Sequence, residues 1–453
     1  MVADVLVRQG DPLADWDPED EDAWNRGGRG IARRNLVLSI LSEHVGFSVW
    51  TLWSVLVLFM SPKIGLGFDP GQKFLLVATP TVVGALLRLP YGYAVTRFGG
   101  RNWTVFATAI LLVPTLLAMH FVRQPGTPLW VFLTIAALAG VGGGNFASSM
   151  TNIAVFYPRR HQGWALGLNA GGGNLGVAAV QLIGLGVISV VGDTHPAYVA
   201  AVYLPLIVVV ALLAAWKMDN VAAVRAEPSG QREAVRERHT WLISLLYIGT
   251  FGSFIGYGFA FGLVLQNEFG ATPLQAVGYT FLGPLLGSVS RPIGGWLADR
   301  IGGARVTFWN FLAMGAGTAV LIVAAEANSL ELFMAGFTAL FVLSGIGNGS
   351  TYKMIPAVLA AKAEDEIAAG RAAAEAFARA RRVSRAVLVI AGAVGALGGA
   401  AINFAFTLAY TDGSGSGTPA FVVFIAYYAL CLVVIRAVYL GRGPASGKET
   451  SHV

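Results

Sequence analysis

The chain has 453 residues, of which 55% are AVILMFWYC and only 12% DEKR, with 57 glycines and a mean hydropathy of +0.64. Soluble domains carry about 25% charged residues, so this composition excludes a soluble enzyme and points to a membrane protein. The formal charge of +6 invites nucleic acid as a partner, but basic residues in membrane proteins gather in cytoplasmic loops, so their placement decides.

In chain order, residues 1–34 form a polar tail with eight acids in its first 22 positions, followed by Arg26, Arg29, Arg33 and Arg34. No cleavable signal pattern precedes the first apolar run. Apolar runs then predict spans at 36–60, 74–96, 104–122, 128–157, 164–191 and 197–217, a charged linker at 218–239, and spans at 240–266, 274–298, 306–325, 331–360, 383–411 and 419–440. Residues 442–453 form a second tail, giving six-helix halves at 35–217 and 240–441. The runs are long and lack the alternation of barrel strands, so an all-α bundle of twelve transmembrane helices is expected. The single Cys431 has no second thiol for a disulfide or a metal site, and neither a metal nor a cofactor is expected.

Of 31 Lys and Arg, only Lys63, Lys73 and Arg123 fall in one set of alternate loops, and Arg88, Arg291 and Lys353 fall inside spans. The other 25 lie on one side with both termini, which the positive-inside rule makes cytoplasmic. The basic excess therefore reports topology, and nucleic acid is excluded as a partner.

The halves are related in sequence. RLPYGYAVTRFGGR from Arg88 aligns without a gap on RPIGGWLADRIGGA from Arg291, and at the same offset Gly142, Gly144 and Asn145 fall on Gly345, Gly347 and Asn348. Ala170-Gly171 matches Ala391-Gly392 only after about 18 further residues, supplied by the charged insert before span eleven. Two parallel six-helix halves with a site near the midplane resemble the major facilitator architecture. Within it, GGWLADRIGGAR resembles that superfamily's loop signature, which implies a gating role for Asp299 and Arg300, where charges at a helix end pair with a neighbouring helix. The first-half copy has Thr96 in place of the aspartate, so this latch is weaker there.

Arg88 and Arg291 each lie nine residues before the charge that ends their helix, about 13 Å of rise and too deep to snorkel. A bare guanidinium at mid-membrane costs at least about 2.5–3.5 kcal/mol. Glu43 lies early in span one and Asp299 at a helix end, so no carboxylate is expected at comparable depth. Two such arginines facing one cavity are most simply paired with a substrate anion, and forked guanidinium donors suit a planar oxyanion such as carboxylate, nitrate or nitrite. Spans four and five are glycine-rich and carry Asn145, Asn152, Asn169 and Asn174. Small residues bring helices close, and asparagine amides in a small pocket supply neutral donors.

The segment GGGNFASSMTNIAVFYPRRHQGWALGLNAGGGNLGV, residues 142–177, resembles the nitrate signature of the nitrate/nitrite porter (NarK-type) family of the major facilitators. DWDPEDEDAW, GFSVWTLW, GALLRLPYG, SLLYIGTFGSFIG and GNGSTYKMIP resemble further parts of that family, so the likeness spans most of the chain. It implies nitrate and nitrite as substrates, Arg88 and Arg291 as the anion clamp, Phe47, Phe146, Tyr247 and Phe251 as an aromatic wall, and Asn174 as a polar contact. It also implies signature glycines at Gly142, Gly143 and Gly144 beside Asn145, at Gly171, Gly172 and Gly173, and, in a more degenerate second copy, at Gly392 and Gly395 with Gly398 and Gly399. Tyr247 and Phe251 are four apart and share a helix face.

Glu43, His44 and Lys353 depart from the pattern. For Glu43 and His44 the alternatives are a cytoplasm-facing helix end and proton handling; Lys353 is either a third cation on the anion path or a structural partner of a carbonyl or carboxylate. The expected mechanism is nitrate/nitrite antiport by alternating access in a monomeric inner (plasma) membrane carrier, because two arginines without an anion reorient reluctantly. The alternatives are nitrate/proton symport, a carrier of small organic carboxylates and an anion sensor without an output domain.

Overall fold

The computed structural model describes Leu13 and residues 16–221, 228–411 and 415–441. Most of the expected N-terminal tail before Trp16, the middle of the linker and the tail 442–453 lie outside the described residues. The described residues form twelve long helices: α1 Arg29–Phe59, α2 Pro70–Phe98, α3 Gly100–Phe121, α4 Leu129–Phe156, α5 Arg159–Val191, α6 Ala197–Lys217, α7 Arg238–Phe269, α8 in two segments Pro273–Thr280 and Leu282–Ile301, α9 Gly303–Glu326, α10 Leu330–Ala368, α11 Ala373–Thr411 and α12 Thr418–Val438. Eleven are long and apolar enough to cross a membrane; α8 is the exception, interrupted at Phe281 and carrying Arg291, Asp299 and Arg300.

Local chemistry repeats between the halves more closely than the two aligned segments require. α2 opens on a capping box in which Asp69 and Gln72 satisfy each other's backbone N–H groups, with Pro70 at the first helical position. α8 opens the same way on Thr272, Pro273 and Gln275. Both helices also end alike, on Gly99 at φ 85°, ψ 149° and on Gly302 at φ 89°, ψ 136°. That region of backbone space is open to glycine and almost closed to other residues, which explains the paired glycines seen in the sequence.

Helices α1 to α6 pack together, with α5 and α4 against α1 and α4 against α2, and in the second set α8 and α9 pack on α10. The two sets meet along α2–α11, α5–α8 and α1–α7. At the end away from the termini the seam is shut. Phe74 of α2 stacks on Tyr410 at 5.1 Å and Phe406 at 5.3 Å of α11, Gln266 of α7 donates to the Leu58 carbonyl of α1 at 3.1 Å, and Gln181 of α5 donates to the Gly258 carbonyl of α7 at 3.0 Å. On α5, Gly163, Gly167, Gly171, Asn174, Ala178 and Gln181 recur at the three-and-four spacing of one helix face. The glycine end of that face, nearer the termini, has open space where a side chain would be. The seam is thus closed at one end and parted beside α5 at the other.

The charged insert after span ten forms no separate unit: it prolongs α10 to Ala368 and starts α11 at Ala373. A linker helix, Pro228–Arg236, is moored to this extension. Glu233 accepts from Arg379 and Arg382 at 2.7 Å each, and Glu237 pairs with Lys362. Burial alone would raise the Glu233 carboxyl, but hydrogen bonds from Arg382 and Arg379 outweigh it and hold the group below its ordinary range.

Close helix approach is concentrated at the signature glycines. A β-carbon on Gly143 would lie 2.8 Å from the Trp50 ring and 2.9 Å from the Gly84 α-carbon, and backbone cannot step aside as a side-chain tip can. Gly143→Ala is therefore expected to cost about 1–3 kcal/mol by overpacking. A lower midpoint of thermal unfolding in detergent checks it; an unchanged midpoint contradicts the close packing of α4 on α1 and α2.

Candidate functional site

Arg88 projects from the middle of α2 and is fully buried. Its Nη1 donates to the Gly392 carbonyl of α11 at 2.8 Å, a bond that crosses from one half to the other. Its guanidinium carbon lies 4.6 Å from the centre of the Phe146 ring of α4 and 4.9 Å from that of Phe251 of α7. Ring faces attract a cation without neutralising it, so the charge is left in place. Nε and Nη2 of Arg88 are buried with no hydrogen-bond partner among the described residues.

Arg291 of α8 donates from Nη2 to the Tyr247 hydroxyl at 3.2 Å, stands 5.4 Å from the Tyr352 ring of α10, and has a buried, unpaired Nη1. The two arginines occupy equivalent positions of the repeat but unequal surroundings, because Arg88 is fully buried and Arg291 partly exposed. They are linked through α7. Phe251, beside Arg88, stacks on Tyr247 at 5.1 Å with the rings 8° from parallel, and Tyr247 holds Arg291. A π-turn, Ile248–Gly252, begins directly after Tyr247 and contains Phe251, so it lies within the site, where such wide turns are often found.

Of the residues singled out in the sequence, Arg88, Arg291, Phe146, Tyr247, Phe251 and Gly392 thus come together. Phe47 joins them by stacking on Phe146 at 6.3 Å, and Gly395 lies against Tyr247. Asn174 is buried on the seam-facing side of α5 with its Oδ1 unpaired, and both amide atoms of Asn145 are buried and unpaired. Gly142 packs against α1 at Gly46, Gly143 against Trp50 and Gly144 against Tyr91, while Gly172 and Gly173 pack against Ile40 and Glu43 of α1; Gly171 alone among these faces open space.

Asp299 and Arg300 lie apart, at the exposed end of α8. Lys353, placed inside a span by the apolar run, is half exposed and donates to Asp299 at 2.8 and 3.0 Å. Of the two alternatives, the contact it makes is that of a structural partner of a carboxylate. Arg300 sits over Trp296 at 4.0 Å, and Thr96 turns its hydroxyl to the Tyr93 carbonyl of its own helix. The Asp299–Lys353 pair joins two helices of one half, so it fastens that half and does not lock the halves together.

Two features escaped the sequence. Tyr352 lies against Arg291 and Tyr247; the repeat offset places it opposite Ser149, a signal that was available. The second is a correction. Glu43 is not at a helix end: α1 starts at Arg29, Glu43 falls midway along it, and the side chain is fully buried. It accepts hydrogen bonds from Ser149 of α4 and from Asn169 Nδ2 of α5, the latter at 2.8 Å. A carboxyl therefore does exist within the bundle, on neutral partners and without an ion pair to either arginine. His44 beside it has its Nδ1 3.1 Å from the Gly172 carbonyl.

The helices form two packed groups whose seam holds a pair of cations with spare donors. The Major Facilitator Superfamily profile matches residues 44–374, and the chain is a multi-pass membrane carrier of that superfamily. It is 38% identical to the nitrate/nitrite transporter NarU of Escherichia coli K12 over 96% of this chain and 97% of that protein. It is 34% identical to the probable nitrate/nitrite antiporter NarK2 of Thermus thermophilus over 76% and 82% of the two chains. The chain belongs to the nitrate/nitrite porter family. Solved structures share the fold: a D-xylose–proton symporter has TM-score 0.68 at 14% identity over 93% of this chain and 99% of that one. A bacterial homologue of the human lysosomal transporter Spinster, inward-facing and occupied, has TM-score 0.65 at 16% identity over 90% and 98%.

The Tyr247 hydroxyl is the one hydrogen-bond acceptor of Arg291 recorded among the described residues. Tyr247→Phe leaves a further guanidinium donor unpaired, at an expected cost of about 1–3 kcal/mol. The check is a lowered midpoint of unfolding in detergent without added anion; an unchanged midpoint would show that the bond contributes nothing.

Proposed function

We propose that this carrier exchanges nitrate for nitrite across the inner membrane by alternating access, with both termini in the cytoplasm. The observation that carries the reading is the pair Arg88 and Arg291 at the seam, bridged by Phe251 and Tyr247, with three buried donor atoms unpaired. Nitrate and nitrite are flat, carry one negative charge and offer acceptors in a plane, which matches forked guanidinium donors held beside aromatic rings. The likeness to the nitrate/nitrite transporter of Escherichia coli and the probable nitrate/nitrite antiporter of Thermus thermophilus supports the substrate, and the second supports exchange.

The residues divide the work. Arg88 supplies charge from the first half and Arg291 from the second, so an anion held by both draws on both halves. Phe47, Phe146, Tyr247 and Phe251 fix the plane of the anion, and Asn174 offers an amide. The halves 35–217 and 240–441 rock about this centre, and the linker 218–239, moored to the α10–α11 extension, keeps them joined. The asymmetry of 25 cations against three orients the parted end toward the cytoplasm. Without an anion, the spare guanidinium donors would have to pass through the closed intermediate unpaired, so the anion-free return leg is slow and exchange is favoured. The working unit is a monomer.

Proteoliposomes loaded with nitrite should take up labelled nitrate without a pH gradient, and formate or lactate should compete poorly. Uptake that proceeds only with a proton gradient would refute exchange, and strong competition by carboxylates would reassign the substrate. Arg88→Lys and Arg291→Lys should each weaken nitrate binding at least about tenfold, since charge stays but the fork is lost. Calorimetric titration in detergent measures this, and near-normal affinity in both variants refutes the clamp.

A further inference from the structure

Glu43 has no assigned part in the clamp, yet it sits in the middle of α1, fully buried, on the same seam-side cluster of α4 and α5 that carries the signature. One of its oxygens accepts from Ser149 and from Asn169, whose amide also donates to Ser149 at 2.8 Å. The other oxygen is buried with no partner at all among the described residues. A carboxylate that is permanently ionised in such a place would be expected to gather cations or donors on both oxygens. Donors on one oxygen and none on the other is the pattern of a carboxyl that alternates between ionised and protonated.

The charges that reach Glu43 are few. Arg88 of α2 acts on it from the same half and Arg291 of α8 from across the seam, and Tyr352 of α10 lies within range of it. From α4 and α5 it meets only the neutral Ser149 and Asn169, and on α1 its neighbour is His44, whose ring is turned to the Gly172 carbonyl. The two arginines that would hold the anion are thus also the cations that favour ionised Glu43.

We propose that Glu43 is a proton site linked to the anion site, taking up a proton when an anion binds between Arg88 and Arg291 and releasing it when the anion leaves. The inference rests on the clamp proposed above. An anion at the arginines screens their pull on Glu43 and adds a like charge nearby, so its arrival favours the neutral carboxyl. The proton comes from water and binds a carboxylate oxygen; no bond other than that O–H forms or breaks. Net charge in the core is then the same with and without anion, because one negative charge replaces another. During exchange both legs carry a protonated Glu43 and no proton is moved. On the slow anion-free leg the ionised Glu43 accompanies the arginines, so any empty return that does occur brings in one proton per anion, while exchange remains the faster mode.

Linkage fixes the sign: affinity for nitrate rises as pH falls through the range in which Glu43 changes state, approaching about tenfold per pH unit at its steepest. The experiment is nitrate titration of the purified full-length protein in weakly buffered detergent solution, read by calorimetry and by a pH indicator. The expected result is uptake of up to one proton per bound nitrate in the native protein. Glu43→Gln keeps an oxygen to accept from Ser149 and Asn169 but cannot ionise, so it should bind nitrate with no proton uptake and a flat pH profile. Nitrate binding by the native protein with no proton uptake at any pH overturns the inference, and the indicator readout needs no variant to fold. Uptake that survives Glu43→Gln and vanishes in His44→Gln also overturns it, by moving the proton to the histidine. Absence of any nitrate binding to the native protein would instead refute the clamp itself.

Discussion

Two guanidiniums stand inside an apolar bundle without a carboxylate partner, and under the proposed anion clamp most of the central architecture follows from keeping them there and still free to bind. Pairing each with a carboxylate would stabilise the fold but cancel the charge available to a ligand. The chain uses weaker partners that leave the charge in place: a main-chain carbonyl and two ring faces for Arg88, a phenol hydroxyl and a ring for Arg291. Each arginine keeps donors in reserve. The glycines are the structural counterpart of this choice, since only close backbones bring a carbonyl of α11 and rings of α4 and α7 to one side chain of α2.

Pseudosymmetry builds the halves but does not govern the centre. The same cap chemistry and the same glycine ends shape α2 and α8, which sets the two arginines at equivalent heights. Their neighbours then diverge. Arg88 reaches across to the second half, whereas Arg291 is held by Tyr247 and Tyr352 of its own half. Movement of one half against the other therefore disturbs the two cations differently: the Arg88–Gly392 bond spans the seam and must change, while the surroundings of Arg291 can travel with it as a unit.

Much of this was legible in the sequence because duplication and charge scarcity leave strong marks. Arg88 and Arg291 stand out in apolar runs, the repeat pairs them, and four-residue spacing joins Tyr247 to Phe251. What was not legible depended on which helices surround a position. Glu43 looked peripheral because depth was counted from the edge of an apolar run, whereas α1 is sheathed by α4, α5 and α7 and begins well before that run. Lys353 erred in the opposite direction: its run is apolar, yet its face of α10 opens beside Asp299. The cap pairs at Asp69 and Thr272 carried a readable signal, but one in loop chemistry and not in hydropathy.

The wide turn at Ile248–Gly252 has a consequence for how this chain can vary. A π-turn holds about one residue more than an α-turn, so everything from Ser253 to Phe269 is set by an extra step of about 100° around the axis of α7. Loss of a single residue there would restore a regular helix and swing the far part of α7 round. Gly258 would leave Gln181, and Tyr257 would leave the Tyr428 hydroxyl it meets at 2.6 Å. Substitutions along α7 change one contact at a time, but an insertion or deletion re-aims half a helix at once. The length of this stretch is thus a constraint as strict as the identity of its residues.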